Sequence, residues 1–129
     1  MEPATVDRLD AAQLSESERR VVKRFASRLQ NELGGDLRGL WLYGSRARGT
    51  AHPESDVDLL VIADGGHDRY GRIAGDLGEE AAIAEGESSF TYSVHVHDLE
   101  WLQGRRAIES FFIQEVDRDK IVLAGSALD

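Results

Sequence analysis

Cysteine is absent from this 129-residue chain, which excludes disulfides, thiolate metal sites and cysteine nucleophiles. No run of about 18 apolar residues occurs, so nothing reads as a bilayer-spanning helix. Met1 to Asp10 offers neither a basic lead-in nor an apolar segment, so no signal peptide is legible and a cytoplasmic protein is expected. Positive charge is scarce as well. Fifteen basic residues against 24 acidic ones leave a net charge of −9, which disfavours non-specific binding to nucleic-acid backbones or anionic membranes. No repeat, low-complexity tract or linker divides the chain. What is present is globular: 41% hydrophobic and 30% charged residues suit one domain that buries roughly two-thirds of its unfolded surface.

Residues 1–14 are weakly patterned and read as a loose lead. Ser15 and Glu18 then form a capping box, and Val21, Val22, Phe25, Leu29 and Leu33 follow at helical spacing up to Gly34-Gly35. Leu40 to Tyr43 reads as a short strand that runs into Gly44-Ser45. Asp56 to Ala63 is a second strand whose apolar run does not alternate, so both of its faces should be covered. A helix is expected from Asp68 to Ala84, with Tyr70, Ile73, Leu77 and Ala81 on one stripe. Phe90 to His97 alternates: Phe90, Tyr92, Val94 and Val96 face one way, and Thr91, Ser93, His95 and His97 the other. Asp98 can cap a short helix through Leu102, Ala107 to Val116 reads as another, and Ile121 to Leu123 as a last strand. The order α-β-β-α-β-α-α-β predicts an α/β fold, a small mixed sheet with helices packed on it. One domain over residues 15–125 and a tail over 126–129 complete the division.

The informative segment runs from Gly44 to Asp58. A strand entering Gly-Ser and then a helical turn exposes backbone amides and a hydroxyl at a positive helix end, an arrangement that binds phosphate. Gly44 removes the side chain that would block close approach. Asp56 and Asp58 stand two apart at the start of a strand, so both carboxylates project from one face. Paired carboxylates with open positions suit Mg²⁺, which keeps several waters and takes other ligands from substrate phosphates. Such equipment serves phosphoryl or nucleotidyl transfer.

This Gly-Ser, ten intervening residues, Asp-x-Asp pattern on adjacent strands resembles the minimal nucleotidyltransferases of the polymerase-beta superfamily. The resemblance implies that Gly44 and Ser45 hold the triphosphate of an incoming nucleotide, and that Asp56 and Asp58 ligate the metals. Arg46 matches the common Gly-Ser-Arg form and by position could meet phosphate or acceptor. The implied activity is Mg²⁺-dependent transfer of AMP from ATP to a hydroxyl. The implied partner is a small all-helical HEPN protein, a ribonuclease toxin that such a domain neutralises, in some cases by adenylylating a tyrosine. The family's active members usually carry a third carboxylate on the strand that here reads Tyr92 to Val96, whose polar face offers Ser93 and His95 but no acid. Either a one-metal or His95-assisted reaction survives, or the domain neutralises its partner by docking alone; a nucleotide sensor is a third reading.

Blander readings accompany the remaining residues. Arg46 and Arg48 could be solvated cations that balance the acids. His95 and His97 could form a metal pair at strand spacing, though polar histidines on a half-exposed strand are the simpler reading. Glu79-Glu80 reads as a solvated helix face, and Trp41, Trp101, Phe111 and Phe112 as core or partner contacts.

Overall fold

Ser15 opens a long helix as its pattern requires. Its hydroxyl accepts from the Glu18 amide at 3.1 Å, and the Glu18 carboxylate accepts from the Ser15 amide at 2.8 Å, satisfying two otherwise free donors. Helix α1 then spans Glu16–Leu33 and buries the expected Val21, Val22, Phe25, Leu29 and Leu33. The computed structural model describes residues 9–129, so residues 1–8 of the expected lead lie outside the described residues. The rest of that lead is tied down. Leu9 and Ala12 are buried in the core, and Arg19 donates to the carbonyls of Leu9, Asp10 and Ala12.

Beyond α1 come β1 (Leu37–Tyr43), the single turn α2 (Ser45–Arg48), β2 (Val57–Ala63), α3 (Gly66–Ala84), β3 (Tyr92–His97), α4 (Leu99–Ala107), α5 (Phe111–Asp119) and β4 (Ile121–Gly125). The strands form one sheet in the order β3-β2-β1-β4. Strand β1 runs antiparallel to both β2 and β4, and β2 runs parallel to β3. The α/β mixed sheet expected from the element order is what forms. Its two central strands are covered on both faces, which is why their apolar runs do not alternate. Leu40, Leu42, Val57, Leu59 and Val61 pack with α1 and α3. Trp41, Tyr43, Leu60 and Ile62 meet Leu102, Ile113 and Val116 of α4 and α5. No helix among the described residues is long and apolar enough to cross a membrane.

Three local expectations are corrected. Phe90 does not join Tyr92 on an inward face; it sits in the 3₁₀ turn Ser89–Thr91 and is 94% exposed. Helix α3 begins at Gly66, two residues early, and its buried stripe is Tyr70, Ala74, Leu77, Gly78, Ala81 and Ala82, with Ile73 only partly covered. A methyl added at Gly78 would lie 3.1 Å from Val94 Cγ2, so glycine lets α3 press onto β3. The helices expected over 98–102 and 107–116 divide elsewhere: α4 continues to Ala107, Glu109 adopts φ +52°, and Ser110 caps α5 by accepting from the Ile113 amide. A serine cap three residues past Ala107 wins over the helical spacing that runs through it.

Lys120 alone separates α5 from β4. It is 4% exposed, with Nζ 4.1 Å from the Trp41 ring centroid, and it donates to Asp117 at 2.9 Å and to the Ala127 carbonyl at 2.6 Å. The tail over 126–129 is held in turn, by Trp41 Nε1 donating to the Ser126 carbonyl at 2.8 Å and by Leu128 packing on the second core.

Phe25 is fully buried, whereas Arg28 reaches Glu80 only at the surface. Phe25→Ala should therefore lower unfolding free energy by about 3–5 kcal/mol and Glu80→Gln by less than about 1 kcal/mol, as read from urea denaturation midpoints. Equal effects would mean that α1 is not held by its apolar face.

Candidate functional site

The sheet register brings the two halves of the Gly-Ser and Asp-x-Asp pattern together. Tyr43, the last residue of β1, pairs with Asp58 of β2, so the chain leaving β1 passes directly over the Asp58 carboxylate. Gly44 makes that crossing at φ +79°. A Cβ built there would lie 2.6 Å from Asp58 Oδ2, so a side chain is excluded both by the backbone angle and by the carboxylate. Helix α2 then starts at Ser45; the amides of Ala47 and Arg48 donate to the Gly44 carbonyl, while those of Ser45 and Arg46 have no partner within the turn.

Asp58 is half-buried and shares its sheet face with Tyr43 and, in register across β3, with Ser93. Asp56 is exposed, just before the strand. Burial first, and the neighbouring Asp56 charge second, push the Asp58 carboxyl above the usual carboxylate range, while His95 and Arg48 pull it partly back. Burial, with a smaller contribution from Asp58, raises the Tyr43 phenol to about 12. No hydrogen bond to either carboxylate is made among the described residues. An acid pair that is unsatisfied, partly desolvated and mutually repelling is a fit for a divalent cation. Among the described residues no group of three His, Asp, Glu or Cys side chains is arranged to hold a metal, so an ion on Asp56 and Asp58 would complete its shell from water and ligand phosphate.

Gly44, Ser45, Arg48 and Asp58 form one side of a cleft of about 310 Å³, and Phe112, Glu115 and Val116 of α5 form the other. Sequence reasoning missed α5 as a wall. Its signal was the spacing of Phe112, Glu115, Val116 and Asp119, which puts one helical face toward the Gly-Ser turn.

The two arginines exchange the importance assigned to them. Arg46 was expected to meet phosphate or acceptor, but it is 6% exposed. Its guanidinium donates to the Ser55 carbonyl at 2.8 and 3.2 Å, to the Gln13 carbonyl at 3.1 Å and to Glu18 at 2.9 Å. It braces the turn against α1 and the loop before β2, and it is not among the residues that line the cleft. Arg48, expected as a loop cation, lines the cleft and reaches Asp119 of α5 at 3.5 Å. Residues two apart on a helical turn are about 200° apart, so one must face in when the other faces out.

His95 lies exposed on β3, on the Asp58 face of the sheet but one step further along, in register with Leu60. The His97 ring stacks on Trp101 at 3.7 Å and 7°. Burial, followed by the charge of His95, lowers the His97 pKa. Phe112 and Trp101 join the same aromatic group, with ring centroids 6.4 Å apart. Phe111 remains 76% exposed.

A family model described as the nucleotidyltransferase domain matches residues 19–128. The chain belongs to that family. Two proteins of Methanocaldococcus jannaschii, provisionally named protein adenylyltransferases, share local identity with this nucleotidyltransferase. MJ1305 is 49% identical over 43 residues, covering 33% of this chain and 29% of its own length. MJ0604 is 35% identical over 48 residues, covering 37% and 48%. The chain thus spans less than half the length of these curated relatives. Among solved structures, a toxin–antitoxin with AMP-PNP aligns at TM-score 0.52 and 24% identity, over 81% of this chain and 73% of that one. A variant of the MntA–HpeT toxin–antitoxin aligns at the same score, with 23% identity over the same shares. At these identities the likeness is one of fold, and the α/β arrangement expected from the sequence, a small mixed sheet with helices packed on it, is the one observed.

Asp58 titrates higher in the fold than in the unfolded chain, so its ionised form opposes folding at neutral pH. That opposition disappears as pH falls through the raised value. Asp58→Asn should therefore melt at or above the wild-type temperature at pH 7 without metal, the gain shrinking toward pH 4. It should also lose the extra stabilisation that Mg²⁺ and ATP give together. A lower metal-free melting temperature would mean that Asp58 is structurally needed.

The two arginines should separate in the same assay. Removing Arg46 leaves the largely covered Glu18 without its counter-charge and the Ser55 and Gln13 carbonyls without their donor, so Arg46→Met should cost about 3 kcal/mol of stability. Arg48→Met should leave the melting temperature within a few degrees and weaken Mg-ATP binding, measured by calorimetry.

Proposed function

We propose that this nucleotidyltransferase moves a nucleoside monophosphate, AMP from ATP, onto a hydroxyl of a partner protein and releases pyrophosphate. The observation that carries the reading is the packing of the Asp58 carboxylate against the side-chain-free backbone of Gly44, which joins the Gly-Ser turn to the Asp58 end of the acid pair in one cleft. Ser45 and the first amides of α2 bind the outer phosphates, and Arg48 adds positive charge from the same wall. Asp56 and Asp58 hold Mg²⁺, whose role when bound is to neutralise the phosphate charge that would repel an incoming oxygen.

The acceptor oxygen attacks the α-phosphorus, a new P–O bond forms, and the anhydride bond to the β-phosphate breaks, its electron pair leaving with pyrophosphate. The hydroxyl proton needs a base. With Ser93 level with Asp58, His95 is the neighbouring group assigned to receive it, and turnover is slow for want of a better-placed acid. The partner we assign is a helical HEPN-type toxin, with this chain as its antitoxin in the cytoplasm. The toxin–antitoxin neighbours and the adenylyltransferase relatives support that assignment. Ser93 in place of an acid favours the second reading, in which the domain binds nucleotide and neutralises its partner by docking.

Incubation with Mg²⁺ and α-labelled ATP, in the presence of the protein encoded beside this one, tests both. Label on the partner with equimolar pyrophosphate, lowered at least about tenfold by His95→Ala, is the expected result. A stable complex with no label supports docking alone, and full transfer by His95→Ala removes the histidine from the reaction.

A further inference from the structure

The cleft has two chemically unlike walls. Its phosphate side is Gly44, Ser45, Arg48 and Asp58, while the α5 side presents an aromatic ring and a carboxylate, Phe112 and Glu115. Phe112 is held without being covered: Tyr43 meets it edge-on at 5.5 Å and 88°, and 42% of the residue stays exposed. Glu115 is half-buried, and among the described residues it makes no hydrogen bond or salt bridge, the Arg118 charge that it feels being bound to Asp119. The other two acids of α5 are committed. Asp117 takes Arg106 and Lys120, and Asp119 takes Arg118 and Arg48.

An unpaired carboxylate facing a phosphate site repels the ligand unless the ligand brings donors to it. Phosphates carry none at neutral pH. A nucleoside does, in its ribose hydroxyls and in an exocyclic amino group, and it also has a flat face for an aromatic ring. We infer that Phe112 and Glu115 form the nucleoside subsite of this cleft, the ring stacking on the base and the carboxylate accepting from a donor of the nucleoside. The inference rests on the nucleotide-binding reading of the Gly-Ser turn and adds the residues that select among nucleotides. One wall holds what all triphosphates share, and the other reads what distinguishes them.

Calorimetry on the full chain in Mg²⁺ tests this with four ligands: ATP, inosine triphosphate, 2′,3′-dideoxy-ATP and inorganic tripolyphosphate. Melting curves first establish that Glu115→Gln and Phe112→Leu are folded, the leucine keeping apolar bulk against Tyr43. Phe112→Leu should weaken ATP about tenfold and leave tripolyphosphate unchanged. Glu115→Gln should also weaken ATP about tenfold. That penalty should vanish with inosine triphosphate if the donor is the amino group, and with the dideoxy nucleotide if the donors are ribose hydroxyls. ATP binding to Glu115→Gln as tight as wild type or tighter, or a penalty equal for all four ligands, overturns the inference. Wild-type binding of tripolyphosphate as tight as ATP overturns it too, while leaving the phosphate site standing. Binding of neither ligand by wild type defeats the phosphate reading and the subsite together.

Discussion

A carboxylate lying against a backbone position that can carry no side chain organises this molecule. Asp58 reaches its place because β2 pairs with β1 in a register that sets it opposite Tyr43. Gly44 accommodates it by adopting a positive φ and by having no Cβ. Shifting the register by one residue would send Asp58 to the opposite face, among the apolar side chains beneath α1 and α3. The core and the site are therefore specified by the same pairing. Leu40, Leu42, Leu59 and Val61 fix which face is buried, and that choice fixes where the acid points.

The fold draws a second constraint from Arg46 and Glu18. One Glu18 oxygen accepts both from the Ser15 amide that begins α1 and from the guanidinium that braces α2. The cap of α1 and the Gly-Ser turn thus share an acceptor, although 28 residues separate Glu18 from Arg46. A buried charge pair of this kind gives little net stability over an apolar substitute but is costly to break from one side. Its effect here is positional, holding the turn while Arg48 is left to face the cleft.

Much of this architecture was legible in the residues. The capping box, the apolar faces of α1 and β2, and the Gly44-Ser45 and Asp56/Asp58 spacing each express a local rule that the tertiary structure obeys. The misreadings share a physical origin. Arg46 and Arg48 look alike in sequence, and only the rotation of a one-turn helix distinguishes the brace from the cleft cation. Phe90 continues the alternation of β3 but falls in a 3₁₀ turn, where alternation ceases to mean a face. Glu115 was silent because its significance lies in what its neighbours on α5 do with their charges, a property of partners rather than of spacing. The boundary between α4 and α5 was blurred because helical periodicity persists through a break made by a cap.

Lys120 has a mechanical consequence. With one residue between α5 and β4, and that residue pinned by Trp41, Asp117 and the Ala127 carbonyl, the helix is splinted to the sheet. The opposite rim is splinted as well, since Gln13 exchanges two hydrogen bonds with Ala51 and Arg46 grips Ser55. Any ligand that fits such a gap finds the vice already set, so the loss of freedom on binding falls on the ligand's torsions and little of it on the protein.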